Sequence, residues 1–151
     1  MICIRSLAVA LLLVAISSPA TAADGLIAVK SPYAANETMD RLERVLKEKG
    51  MTIFARVDHA VGAMKVGRKL RPTEVLIFGN PQGGTPLMEC SQTAGIDLPQ
   101  KALVWEDGSG QVWLGYNDVT YVANRHGVPQ CPVVGNLGQA LAGFAQAVVA
   151  K

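Results

Sequence analysis

Two adjacent residues, Asp58 and His59, form the pair in this chain best suited to proton transfer or ligation. Only two histidines are present, and imidazole is the side chain that titrates near neutral pH. The pair stands where a strand pattern gives way to a helix pattern, so Asp58 is placed to cap the helix. His59 then falls in the first turn, near the positive end of the helix dipole, which favours neutral imidazole. His126 sits at the other kind of helix end, in a last turn before Gly127, and is expected to be structural. A second candidate is the glycine-rich run 79–84 followed by Thr85 and Pro86. Thr85 as N-cap and Pro86 at the first helical position predict a helix start, whose free N–H groups suit an anion. The spacing is not that of a nucleotide-binding loop, and no Lys follows Gly84. A tight turn shaped by Asn80 and the glycines is the plainer reading. Asp97, Lys101 and Tyr116 complete a candidate polar pocket, or stand as ordinary rim residues.

His59, Met64, Met88 and Cys90 are residue types that suit copper. Met64 follows His59 by five positions, which is poor same-face spacing on a helix, so both methionines are expected in the core. No metal site and no cofactor are expected. No Ser/His/Asp order, zinc spacing or paired carboxylates stand out.

The N-terminal residues give an expectation for the compartment. Residues 1–22 read as a secretory signal. Arg5 supplies the positive n-region, residues 7–16 are ten apolar residues in a row, and Ala20-Thr21-Ala22 is a small-x-small cleavage pattern. Ten apolar residues are too few to span a bilayer, which needs about 20. The expected product, residues 23–151, is periplasmic or secreted with no stable membrane anchor. It keeps Cys90 and Cys131, 41 positions apart. In an oxidising compartment such a pair reads first as a disulfide, closing a loop that contributes roughly 4 kcal/mol in the chain-entropy model. Free thiols or a soft-metal site are the alternatives.

Composition narrows the partners. Fourteen Lys and Arg against 12 Asp and Glu, with no long run of one sign, argue against nucleic acid. Half of the chain is apolar, which argues against disorder.

The elements that must hold the candidates follow from periodicity. Strands are expected at residues 26–30, 52–57, 75–78, 102–106 and 111–116. The first two flank a helix that Asn36 would cap and Gly50 would end, a βαβ crossover. The run 75–78 is solidly apolar and reads as a strand buried on both faces. Asp107-Gly108-Ser109-Gly110 marks a hairpin. A turn centred on Gly108-Ser109 pairs Trp105 with Val112 and puts Leu103, Trp105, Val112, Leu114 and Tyr116 on the core face. A slip of one residue would put both tryptophans together instead. Asp118 caps a short helix, and a last helix runs over about 136–149 with Leu137, Leu141, Phe144 and Val148 on one stripe. The sum is an α+β domain: one mostly antiparallel sheet with helices packed on it.

Seven segments in order carry a resemblance: Arg56-Val57-Asp58-His59-Ala60, Leu70-Arg71-Pro72-Thr73, Phe78-Gly79-Asn80-Pro81, Gly84-Thr85-Pro86-Leu87-Met88, Asp97-Leu98-Pro99, Val104-Trp105-Glu106-Asp107 and Tyr116-Asn117-Asp118. Over about residues 28–128 the chain resembles the bacterial family called domain of unknown function 302. The resemblance implies a TATA-binding-protein-like α+β fold, a curved and mostly antiparallel five-stranded sheet, and makes a homodimer plausible. It implies no activity. One departure is Val119, where the family often has proline.

Three functions compete. The first is a small-ligand-binding module built from Asp58, His59, Asn80, Thr85, Asp97, Lys101 and Tyr116. The second is an enzyme using His59 as acid and base. The third is a structural or interaction protein acting through its sheet face or a dimer interface. The first is preferred; its small molecule stays unidentified.

Overall fold

The computed structural model describes residues 23–151; the expected signal peptide and its cleavage point lie outside them. The strands are β1 (Leu26–Ser31), β2 (Thr52–Asp58), β3 (Thr73–Gly79), β4 (Gln100–Glu106) and β5 (Val112–Asn117). The helices are α1 (Ala35–Glu48), α2 (His59–Lys65), α3 (Pro81–Cys90), α4 (Val119–Arg125) and α5 (Val133–Val149), with a short 3-10 helix at Gln92–Ile96. The five strands form one sheet in the order β1-β5-β4-β3-β2, and every neighbouring pair is antiparallel. The α+β expectation holds. The βαβ unit spans the whole sheet, because β1 and β2, joined through α1, are its two opposite edges.

One face of the sheet carries the core. Leu76, Phe78, Ala102, Val104, Val112, Leu114 and Tyr116 are buried there against Met39, Leu42 and Leu46 of α1 and Leu141, Ala145 and Val148 of α5. The opposite face presents Val75, Ile77, Leu103, Trp105 and Trp113, all only half-buried and outside both core clusters. The run 75–78 is therefore buried on one face, not two.

The hairpin takes the slipped register. Trp105 pairs with Trp113 and Val104 with Leu114, and the two indoles stack with centroids 6.2 Å apart. The cause is the loop length. Asp107 N–H donates to the Gln111 carbonyl, which closes a loop of three residues centred on Ser109, and Gly110 takes φ +82°. That is a turn followed by a left-handed glycine, a form that shifts pairing by one residue from a two-residue turn. Leu103 and Trp105 thus lie on the open face, while Val112, Leu114 and Tyr116 keep the core face.

Three helix starts also differ. Ala34, not Asn36, is the N-cap of α1, and Thr38 donates its hydroxyl to the Ala34 carbonyl at 2.9 Å. Asn80, not Thr85, caps α3: its side chain accepts from Gln82 N–H at 2.8 Å, and Pro81 is the first helical residue. The start signal was one proline earlier than Pro86, which lies inside the helix. The last helix begins at Val133 rather than near Asn136. Asp58 and Asp118 cap α2 and α4 as expected, and Gly50 follows α1 with φ +74°.

Candidate functional site

A cleft of about 670 Å³ opens at the end of the sheet where β3 leaves and β4 enters. Its size is that of a small-molecule pocket. Asn80 makes this corner. While its oxygen caps α3, its amide donates to the Gly50 carbonyl at 3.3 Å, so the chain turns from strand into helix at the sheet end. One wall is α3 from Pro81 to Thr85, with Met88 further along. The opposite wall is α5, through Val133, Leu137, Ala140 and Phe144. Phe54, Phe78 and the Leu98-Pro99 segment, whose peptide is cis, close the remainder. Gly83 is what lets α3 come this near to α5: a Cβ there would lie 3.0 Å from a Leu137 methyl.

The lining is mainly carbon. Its polar side chains are Asn80, Gln82, Thr85, Gln100 and Asn136, and none of the lining residues carries an ionisable side chain. Such a surface can bury an uncharged apolar molecule and orient it through amides and a hydroxyl. It offers no group to take or give a proton.

The structure brings together only part of the expected pocket. Asn80 and Thr85 line the cleft, although Thr85 is a mid-helix residue and no anion site opens at Pro86. Asp58 and His59 stand at the far end of the sheet. Asp58 pairs with Glu74 while Thr52 pairs with Gly79, a strand length of about 20 Å away. The Asp58 carboxylate accepts from Val61 N–H at 2.8 Å, and His59 is exposed. Leu98, Pro99 and Gln100 reach the cleft, but the flanking side chains turn elsewhere. Lys101 Nζ donates to the carbonyls of Asp97 and Pro99 at 3.1 and 2.9 Å. Tyr116 is buried in the main core; burial, then the charge of Asp118, pushes its phenol up from the ordinary value.

Asp97 instead meets the second histidine. Its carboxylate accepts from Arg125 at 2.9 Å and lies 2.6 Å from His126 Nε2. On its other side, His126 Nδ1 lies 2.9 Å from the Thr93 hydroxyl. Thr93 is in turn 2.9 Å from Ser91 Oγ. Hydroxyl, imidazole and carboxylate in this order can activate a nucleophile. Here Arg125 shares the carboxylate, and neither Thr93 nor His126 lines the cleft. The chain of contacts links the 3-10 helix to the end of α4.

The metal candidates separate too. Met64 is 63% exposed, contrary to a core role, because α2 buries none of its residues. Met88 lines the cleft. Among the described residues no cluster of three metal-ligating His, Cys, Asp or Glu occurs. Cys90 and Cys131 lie at disulfide distance from each other, with Cα atoms 6.1 Å apart.

The apolar lining residues that sequence reading missed include Met51, Phe54, Leu98, Ala140 and Phe144. Their types are those of any core. The available signal was the small pair Gly83-Gly84, where Gly83 faces Leu137 of α5 and Gly84 faces Leu98.

Comparison with known proteins agrees with this architecture. A crystal structure of an uncharacterised conserved DUF302 protein from Bacillus stearothermophilus superposes with a TM-score of 0.76. That match covers 83% of this chain and 99% of the other, at 22% identity. Two curated relatives, from Brucella suis and Brucella abortus, are named fluoride-specific ion channel FluC 1. Each is 52% identical over 102 residues, which is 68% of this chain but only 40% and 38% of the relative. Residues 27–147 match the family described as domain of unknown function DUF302, and the chain belongs to that family.

Proposed function

We propose that this domain binds a neutral, mainly apolar small molecule in the cleft between α3, α5 and the sheet end. The observation that carries the reading is the lining itself: a cleft of some 670 Å³ walled mainly by apolar groups, with a few amides and no ionisable group. That chemistry favours binding over acid–base catalysis, and it moves the candidate site away from His59. The signal-like residues 1–22 and the Cys90–Cys131 bond support a place in an oxidising compartment.

Channel activity is not carried over from the FluC relatives. An α-helical channel needs spanning helices, and no helix among the described residues is long and apolar enough to cross a membrane. We infer that the matched stretch is a domain attached to the part of those relatives that conducts.

The test is titration of the purified chain with the neutral apolar dye N-phenyl-1-naphthylamine. Ala140 is exposed on the cleft wall, so Ala140→Phe fills the cleft without disturbing the core. It is expected to weaken dye binding about tenfold. His59→Ala is expected to leave binding unchanged. Loss of binding in His59→Ala with none in Ala140→Phe would overturn the cleft as the site.

A second reading, self-association through the open sheet face, is favoured by the half-buried apolar side chains there, among them the stacked Trp105 and Trp113.

A further inference from the structure

The disulfide joins the two helices that form the cleft. Cys90 is the last residue of α3, and Cys131 stands two residues before α5. Besides that bond, α3 is held by its Asn80 cap and by one small apolar cluster that also meets Val133, Val134 and Leu137 of α5. Leu87 is its one buried residue, seated in a small cluster with Ala94, Val122 and Cys131 that is separate from the main core.

The bond can be reached from outside. A shallow depression of about 460 Å³ is walled by Pro86, Glu89, Pro132 and Val133 around the two cysteines. It shares Val133 and Asn136 with the cleft, so the depression and the cleft are two sides of one helix junction. Cys90 is an exposed residue, whereas Cys131 is 7% exposed. An attacking thiolate needs an open path to the sulfur that it strikes. Of the two cysteines lining the depression, Cys90 is the more exposed.

We propose that Cys90 is a thiol-exchange site and that exchange there opens the ligand cleft. This rests on the reading of the cleft as the binding site. The partner is a dithiol reductant. Its first thiolate bonds to Cys90 Sγ, the Cys90–Cys131 bond breaks, and Cys131 leaves as a thiolate that takes up a proton. The second thiol of the reductant then attacks its own sulfur in the mixed disulfide. Cys90 leaves and is protonated, and the reductant departs as a cyclic disulfide. The protein has gained two electrons and two protons, and the reductant has lost them. With the bond open, α3 is free to move off α5, and the apolar walls separate.

Three measurements on the full chain test this. Brief exposure to glutathione, followed by alkylation and peptide mapping, is expected to put glutathione on Cys90 and the alkyl group on Cys131. Equal labelling, or glutathione on Cys131, overturns the exchange site. Dithiothreitol is expected to weaken N-phenyl-1-naphthylamine binding about tenfold, and the double variant C90S/C131S to do the same without reductant. Equal dye affinity in both states overturns the coupling while leaving the binding site intact. Dye that fails to bind the oxidised chain overturns the site itself. Amide hydrogen exchange needs no dye. Reduction is expected to speed exchange in α3 and the first turn of α5 while the strands stay protected. Unchanged α3, or exchange rising across the whole sheet, overturns the proposal, the latter because the bond is then a global staple.

Discussion

Asp107 determines more of this structure than any other single side chain in the hairpin. Its Oδ1 accepts from Ser109 N–H at 2.9 Å, Ser109 Oγ–H at 2.6 Å and Gln111 N–H at 3.1 Å, and its Oδ2 accepts from the Trp113 indole at 2.8 Å. The Ser109 hydroxyl first, and the Trp113 indole next, hold this carboxyl well below the usual range. A depressed folded value means that the ionised group stabilises the fold. That contribution is complete above the unfolded carboxylate value of about 4 and is lost as pH falls through the depressed one. Asp107→Ala is therefore expected to lower Tm by a constant amount from neutral pH down to about 4. The gap should then close on further acidification. Melting curves of both proteins across that range check it, and a gap that widens in acid would refute the assignment. The turn was legible from Asp107-Gly108-Ser109-Gly110. Its register was not, because the bonds that lengthen the loop by one residue leave no trace in composition.

Single residues set the register; strands convert it into two unlike faces. In β3, Leu76 is fully buried and its neighbour Ile77 is half-buried on the open face. The apolar run Val75-Leu76-Ile77-Phe78 reads as buried on both sides, since a hydropathy pattern does not reveal which faces a helix will cover. Helices with a capping residue and a closing glycine were more legible. Asp58, Asp118 and Gly50 act where their types predict, because the cap is a local interaction. The cleft lay beyond such reading, since Leu137 and Phe144 belong to the same apolar stripe as the buried Leu141 and Val148. A stripe gives periodicity but not the place where two helices part. The one-sided sheet yields an asymmetric prediction. Leu76→Ala is expected to cost about 2–5 kcal/mol, as for other buried leucines. Ile77→Ala is expected to cost about 1 kcal/mol. Urea denaturation measures both, and equal costs would mean that the second face is covered as well.

At the scale of the whole molecule, helices α1 and α5 cover one face of the sheet and contribute no core residue to the other. Leu103 lies on β4, the middle strand, at the centre of the open face. Around it stand Val75, Ile77, Trp105 and Trp113, with Lys30 over the Trp113 ring at 5.5 Å. A second copy could cover such a face symmetrically. Its reach is modest. Five strands about 4.8 Å apart and some 20 Å long span roughly 500 Å² in projection. A standard stable interface takes about 800 Å² from each partner. Pairing through this face alone is therefore expected to be weak and reversible. Sedimentation velocity over a concentration series is expected to show a monomer passing gradually to a dimer. Leu103→Lys puts a charge at the centre of the face while leaving the core face untouched. It is expected to keep the protein monomeric throughout the series with its circular dichroism unchanged. A wild-type chain that stays monomeric at every concentration would remove the self-association reading. A dimer that survives Leu103→Lys would place the interface elsewhere.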